Sequence, residues 1–108
     1  MVVPYPFSAM RKMDEKQINV TRNKRDRIIL YDMDETITAK IENFKDKPAT
    51  LTMIQRIPGQ WKMIKCNLKF EKTDANTLKF EIQMPARTDK GPAVKNLKMH
   101  YHRLNIRP

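Results

Sequence analysis

From Gln17 onward, apolar and polar residues alternate with a period of two. Ile18 and Val20 begin the pattern, and Arg22 to Arg27 interrupts it as a polar connection. Ile28 to Tyr31 is a short apolar run of strand-forming residues. From Thr36 to Asn43, Ile37, Ala39 and Ile41 fall on one side and Thr38, Lys40 and Glu42 on the other. Ala49 to Ile57 offers Leu51 and Met53 as inward residues. Trp61 to Phe70 is extended, with Ile64, Cys66, Leu68 and Phe70 in one phase. The clearest case is Thr77 to Met84, where Leu78, Phe80, Ile82 and Met84 alternate with Lys79, Glu81 and Gln83. Leu97, Met99 and Tyr101 form the inward face of a last strand. Successive side chains of a strand point to opposite faces, so this pattern predicts half-buried strands.

Turn residues punctuate the pattern. Asn43 to Pro48 is one turn, Pro58-Gly59 another, Glu71 to Asn76 a third, and Pro85 to Asn96 a longer loop containing Gly91-Pro92. About seven short strands at this spacing, with no long helix between them, predict an all-β, immunoglobulin-like antiparallel β-sandwich. Residues 1–16 carry Pro4 and Pro6 and no sustained alternation, which predicts an N-terminal arm; residues 17–108 then form a single sandwich domain.

Several residues have a structural reading. Asn43 and Pro48 bound one turn. Pro58 presets its own φ and Gly59 tolerates a φ that a Cβ resists. Trp61 can cap the core, and Asp74 and Asn76 can bond nearby backbone amides. In order, Asn43, Lys45, Asp46, Pro48, Thr50, Ile57-Pro58-Gly59, Trp61, Lys72, Asp74-Ala75-Asn76-Thr77-Leu78, Phe80 and Pro85-Ala86 resemble a bacterial domain of unknown function found at the C-terminus of mucoidy-inhibitor-A-like proteins. The resemblance spans about Thr36 to Ala86, with a weaker tail to Tyr101. It implies an immunoglobulin-like sandwich with no established activity, in envelope-associated or secreted bacterial proteins.

Composition narrows the function. The 108 residues hold 22 Lys and Arg against 12 Asp and Glu, a net charge of +10. That exceeds the ~2–8 usual for a small domain's solubilising surface. A polyanion is therefore a candidate partner, because neutralising phosphates releases counterions. Arg22, Lys24, Arg25 and Arg27 form the tightest basic cluster, and Arg87 and Lys90 add charge in the last loop. No apolar run approaches the ~20 residues that span a bilayer. The single Cys66 allows no internal disulfide and falls in an apolar phase, which predicts a buried thiol.

Two motifs suggest chemistry. Ile28 to Thr36 ends in Asp32-Met33-Asp34-Glu35-Thr36, the Asp-x-Asp-x-Thr pattern of haloacid-dehalogenase-like phosphatases. That chemistry requires a helix after the motif, whereas Ile37, Ala39 and Ile41 continue with strand period, so a polar turn or strand edge is expected. His100 and His102 share a strand face, the spacing of a metal chelate. Lys98 lies on the same face and no carboxylate or cysteine lies nearby in sequence, so solvent-facing histidines and no metal or cofactor are expected. The sequence thus predicts a non-enzymatic structural or protein-interaction module of a bacterial protein. Its partner would be another protein, bound through an edge strand or the 87–96 loop. The alternative is electrostatic binding of a polyanion such as nucleic acid. Envelope or secreted placement follows if a signal precedes the chain, and cytoplasmic placement otherwise.

Overall fold

The computed structural model describes residues 3–108. Seven strands follow in order: β1 (Phe7–Arg22), β2 (Ile28–Asn43), β3 (Ala49–Arg56), β4 (Gln60–Cys66), β5 (Glu71–Asp74), β6 (Thr77–Met84) and β7 (Ala93–Ile106). They form two antiparallel sheets, ordered β1-β2-β7-β4 and β3-β6-β5. In the constant-type immunoglobulin order, the fifth strand lies between the second and fourth, and the seventh beside the sixth. Here β7 and β5 occupy those respective places.

The sheets meet across one core. Ile37, Ala39 and Ile41 of β2 and Leu97, Met99 and Tyr101 of β7 face Leu51 and Met53 of β3 and Leu78, Phe80, Ile82 and Met84 of β6. Ile57 closes one end. All are buried, as the alternation along Thr36–Asn43 and Thr77–Met84 predicts. Each buried Leu, Ile, Met or Phe among them contributes about 1.5–3 kcal/mol on leaving water.

The two sheets differ in length. Strands β1 and β2 have 16 residues each, and β3 and β6 have 8 each. At about 3.3 Å per residue, the β1–β2 ribbon is roughly twice as long as the sheet that covers it. Burial on β2 is confined to Glu35, Ile37, Ala39, Ile41 and Asn43; none of Ile28 to Asp34 is fully buried. The longer sheet therefore projects beyond the core: β7, with 14 residues, accompanies β2 as far as Tyr31↔Ile106, and only the last residues of the β1–β2 ribbon stand as two strands. The radius of gyration is 17.3 Å, and the molecule measures 62 × 27 × 20 Å. A compact chain of this length has a radius near 13 Å.

The observed strand bounds depart from the sequence pattern in several places, among them residues 67–70, expected to be extended but lying outside any strand after β4 ends at Cys66. Residues 7–16, expected to be an arm, lie in β1 and pair in register with β2 from Phe7↔Asn43 onward. As an edge strand, β1 buries only Phe7, Ala9 and Met13 in part, so its alternation is faint. The polar Asp32–Glu35 stretch lies within β2 and merges two predicted strands into one. Residues Glu71–Asp74, expected to be a turn, form the short edge strand β5. A bulge between Met63 and Lys65 breaks the phase of β4, so Ile64 is exposed while Trp61, Met63 and Cys66 pack against the core.

Candidate functional site

Strand alternation along β2 sends its acidic residues to different places. Asp32 and Asp34 leave the sheet on its outer face, and Glu35 points into the core. Three distinct roles follow.

Asp32 is a backbone anchor. One carboxylate oxygen accepts a hydrogen bond from Asn19 Nδ2 at 2.8 Å, and the other accepts one from the Asn105 backbone N–H at 2.8 Å. Both asparagines have left-handed φ, 51° and 56°, a conformation that Asn adopts more readily than most residues. Both lie at register shifts of the strands flanking β2, between Ile18 and Thr21 on β1 and opposite Tyr31/Met33 on β7. Asp32 thus bridges two bulges. The Asn19 bond, and then the Asn105 bond, hold its carboxyl below the usual range.

Glu35 is buried. It accepts the Tyr101 hydroxyl at 2.6 Å on one oxygen and Arg103 Nη1 at 3.2 Å on the other. Burial, followed by the bond to Glu35, pushes the Tyr101 hydroxyl up from its ordinary value.

Asp34 faces solvent across from His102 in the β2–β7 register. His102 Nε2 lies 2.9 Å from Asp34 Oδ1, and His100 Nε2 contacts the same oxygen. The two rings stand edge to face, 5.7 Å between centroids. The His100 contact is the main cause that lowers the Asp34 carboxyl from its ordinary value. The lysines around this group are Lys16 opposite Asp34, Lys62 opposite His102, Lys65 opposite His100, and Lys98 two residues before His100. Next to it is a hollow of about 240 Å³ lined by Thr36, Lys65, Asn67, Lys98 and His100. The spacing of the histidines is visible in the sequence. Their carboxylate is not, because it comes from a strand 66 residues away.

The paired aspartates do not form a phosphatase loop. They lie in mid-strand, and none of the described residues after them is helical. Asp32, the position that would attack phosphorus, has both oxygens engaged.

The basic residues separate into two groups. Arg22, Lys24, Arg25 and Arg27 crowd the tip of the ribbon, and all are exposed. Asn23 orders that turn: its Oδ1 accepts the N–H groups of Arg25 and Arg27 at 2.9 and 3.1 Å. Arg22 bonds the Asp26 carbonyl at 3.0 Å. Arg87 lies at the opposite end, where its N–H bonds the Lys45 carbonyl at 2.8 Å. Lys90 shares that loop, which Thr88 and Gly91 close by exchanging backbone bonds of 2.9 and 3.1 Å. By strand register the two groups stand roughly 50 Å apart. Residues 93–96, expected in that loop, begin β7.

The residues read as structural stitch loops together. Buried Asn43 donates to the Lys47 and Pro85 carbonyls at 3.2 and 2.9 Å and accepts the Lys45 N–H at 3.1 Å. Pro48 directly precedes β3. Asn76 Nδ2 donates to the carbonyls of Ile57 and Gly59, at 2.7 and 2.8 Å, on either side of Pro58. Gly59 has φ +73°, the left-handed value that a type II turn needs after proline. Asp74 caps the β5–β6 turn by accepting from the Asn76 N–H at 2.8 Å and the Thr77 hydroxyl at 2.9 Å. Trp61 Nε1 bonds the Ala75 carbonyl at 2.8 Å, and the Lys72 ammonium sits 5.0 Å above its ring. Burial raises the Cys66 thiol above its ordinary value, which removes nucleophilic character.

No family model, curated protein or solved structure matches this chain.

Proposed function

We propose that the chain is a non-enzymatic interaction module whose projecting β1–β2 ribbon engages an acidic protein surface. The length mismatch between the two sheets carries this reading. Roughly half of the ribbon contributes nothing to the closed core, yet its outer end is ordered and carries Arg22, Lys24, Arg25 and Arg27 together. A polar extension of that kind adds reach and charge more than stability. Immunoglobulin-like kinship and a bacterial envelope or secreted setting accompany this reading through the sequence resemblance.

A second reading has the same tip binding a nucleic acid or another polyanion through charge alone. The lysines on the outer face of the longer sheet favour it, since they extend the positive field from the ribbon toward the core. Fluorescence anisotropy across a salt series, with labelled polyglutamate, heparin and random-sequence DNA, separates the two. Acidic peptide bound more tightly than DNA, and weakened at least tenfold by joint Arg22→Gln, Lys24→Gln, Arg25→Gln and Arg27→Gln substitution, supports the first. Tighter DNA binding with a steep dependence on log salt supports the second. Binding unchanged by the four substitutions removes the ribbon tip from both.

A further inference from the structure

We infer that Asp34, His100 and His102 form a binding site for one divalent transition-metal ion of the zinc class. The donor atoms, two imidazole Nε2 and one carboxylate oxygen, lie within 4.8 Å of one another. Donors on a tetrahedral zinc stand about 3.3 Å apart, given metal–nitrogen bonds near 2.0 Å. Small rotations of three side chains therefore bring all three to bonding distance, without movement of the backbone.

The sheet preorganises the set. His100 and His102 are two residues apart on β7, so both rings leave the same face. Asp34 sits directly across from His102 on β2. These are two neighbouring central strands of the four-stranded sheet, each paired on both sides. The ligands thus stand on its stiffest part, which limits the entropy lost on chelation. Two imidazoles and one carboxylate suit zinc and its neighbours in the first transition row, and do not suit calcium or magnesium, which favour all-oxygen shells.

The three side chains are about one-third exposed, 34% for His100, 30% for Asp34 and 29% for His102. An ion held by them keeps a face open to solvent and has three protein ligands. Lys16, Lys62, Lys65 and Lys98 repel a bare cation, which holds the affinity below that of sealed structural zinc sites. The same lysines favour an anionic oxygen donor at the open position. The hollow bounded by His100, Lys65 and Lys98 has room for such a ligand.

The test is calorimetric titration of the tag-free chain with zinc chloride in a non-coordinating buffer. The expected result is one saturable site per chain, weakened at least tenfold by His100→Ala, by His102→Ala and by Asp34→Asn, and unchanged by Cys66→Ser. Circular dichroism checks that each variant is folded. Proton NMR of the unsubstituted chain supplies an independent readout, in which zinc shifts the ring resonances of His100 and His102 before any others. Zinc binding weaker than about 1 mM, retention of affinity in folded Asp34→Asn, or ring resonances that do not move with zinc would each overturn the assignment.

Discussion

Two adjacent carboxylates on β2 face opposite sides of one sheet, and both find their partners on β7. Glu35 points inward to Tyr101 and Arg103, and Asp34 points outward to His100 and His102. The residue types are similar and the strands are the same. Burial is the difference: Glu35 is 3% exposed, and the Asp34 side chain about ten times more. A carboxylate without water must keep its partners, because losing one leaves an uncompensated charge in a low dielectric. A carboxylate at the surface can exchange its partners for water or for an ion at little cost. The inner group is therefore structural, and the outer one is available for binding.

Two substitutions probe that contrast. The largest effect is expected from Glu35→Ala, which strips the Tyr101 hydroxyl of its acceptor and Arg103 of its counter-charge. Chemical denaturation should show a loss of about 3–5 kcal/mol. A loss below about 1 kcal/mol would mean that water reaches the inner group and that the two faces are equivalent. Asp34→Asn should change the same measurement by no more than about 1 kcal/mol. A larger loss would make the outer group a structural element as well.

The smallest effect concerns a carboxylate away from both faces. Bonds from the Asn76 N–H and the Thr77 hydroxyl hold the Asp74 carboxyl below its ordinary value. A lowered folded-state value adds stability above the ordinary carboxylate pKa near 4, and that stability is lost as pH falls through the lowered value. Asp74→Ala should therefore melt below the parent chain at neutral pH, by a few degrees at most, with the gap narrowing as pH falls below the ordinary carboxylate value. A gap that stays constant or widens on acidification would show that the carboxylate charge is not what the turn uses.

Much of the fold is legible in the sequence because one sheet covers another. Where β3 and β6 lie over β2 and β7, inward positions are apolar and the period of two is plain, as in Ile37, Ala39 and Ile41 or in Phe80, Ile82 and Met84. Where that cover ends, the pattern fades. Residues Asp32–Glu35 look like a turn because Asp32 and Asp34 face outward and the inward Glu35 is a buried carboxylate satisfied by Tyr101 and Arg103 in place of an apolar residue. Residues 7–16 look unstructured because an edge strand buries little. The outer cluster is half legible for a different reason. His100 and His102 lie close in sequence, but Asp34 meets them only through the β2–β7 register, which alternation along a single strand does not specify.

Asp32 has a consequence for geometry as well as stability. Bulges increase the local twist of the strands that carry them, and this one carboxylate ties a bulge on each side of β2. The bearing of the arm, meaning the direction in which its charged end is aimed, is thus steered by a single rivet outside the core. Replacing Asp32 is thus expected to alter the direction of the ribbon more than the packing of the interior.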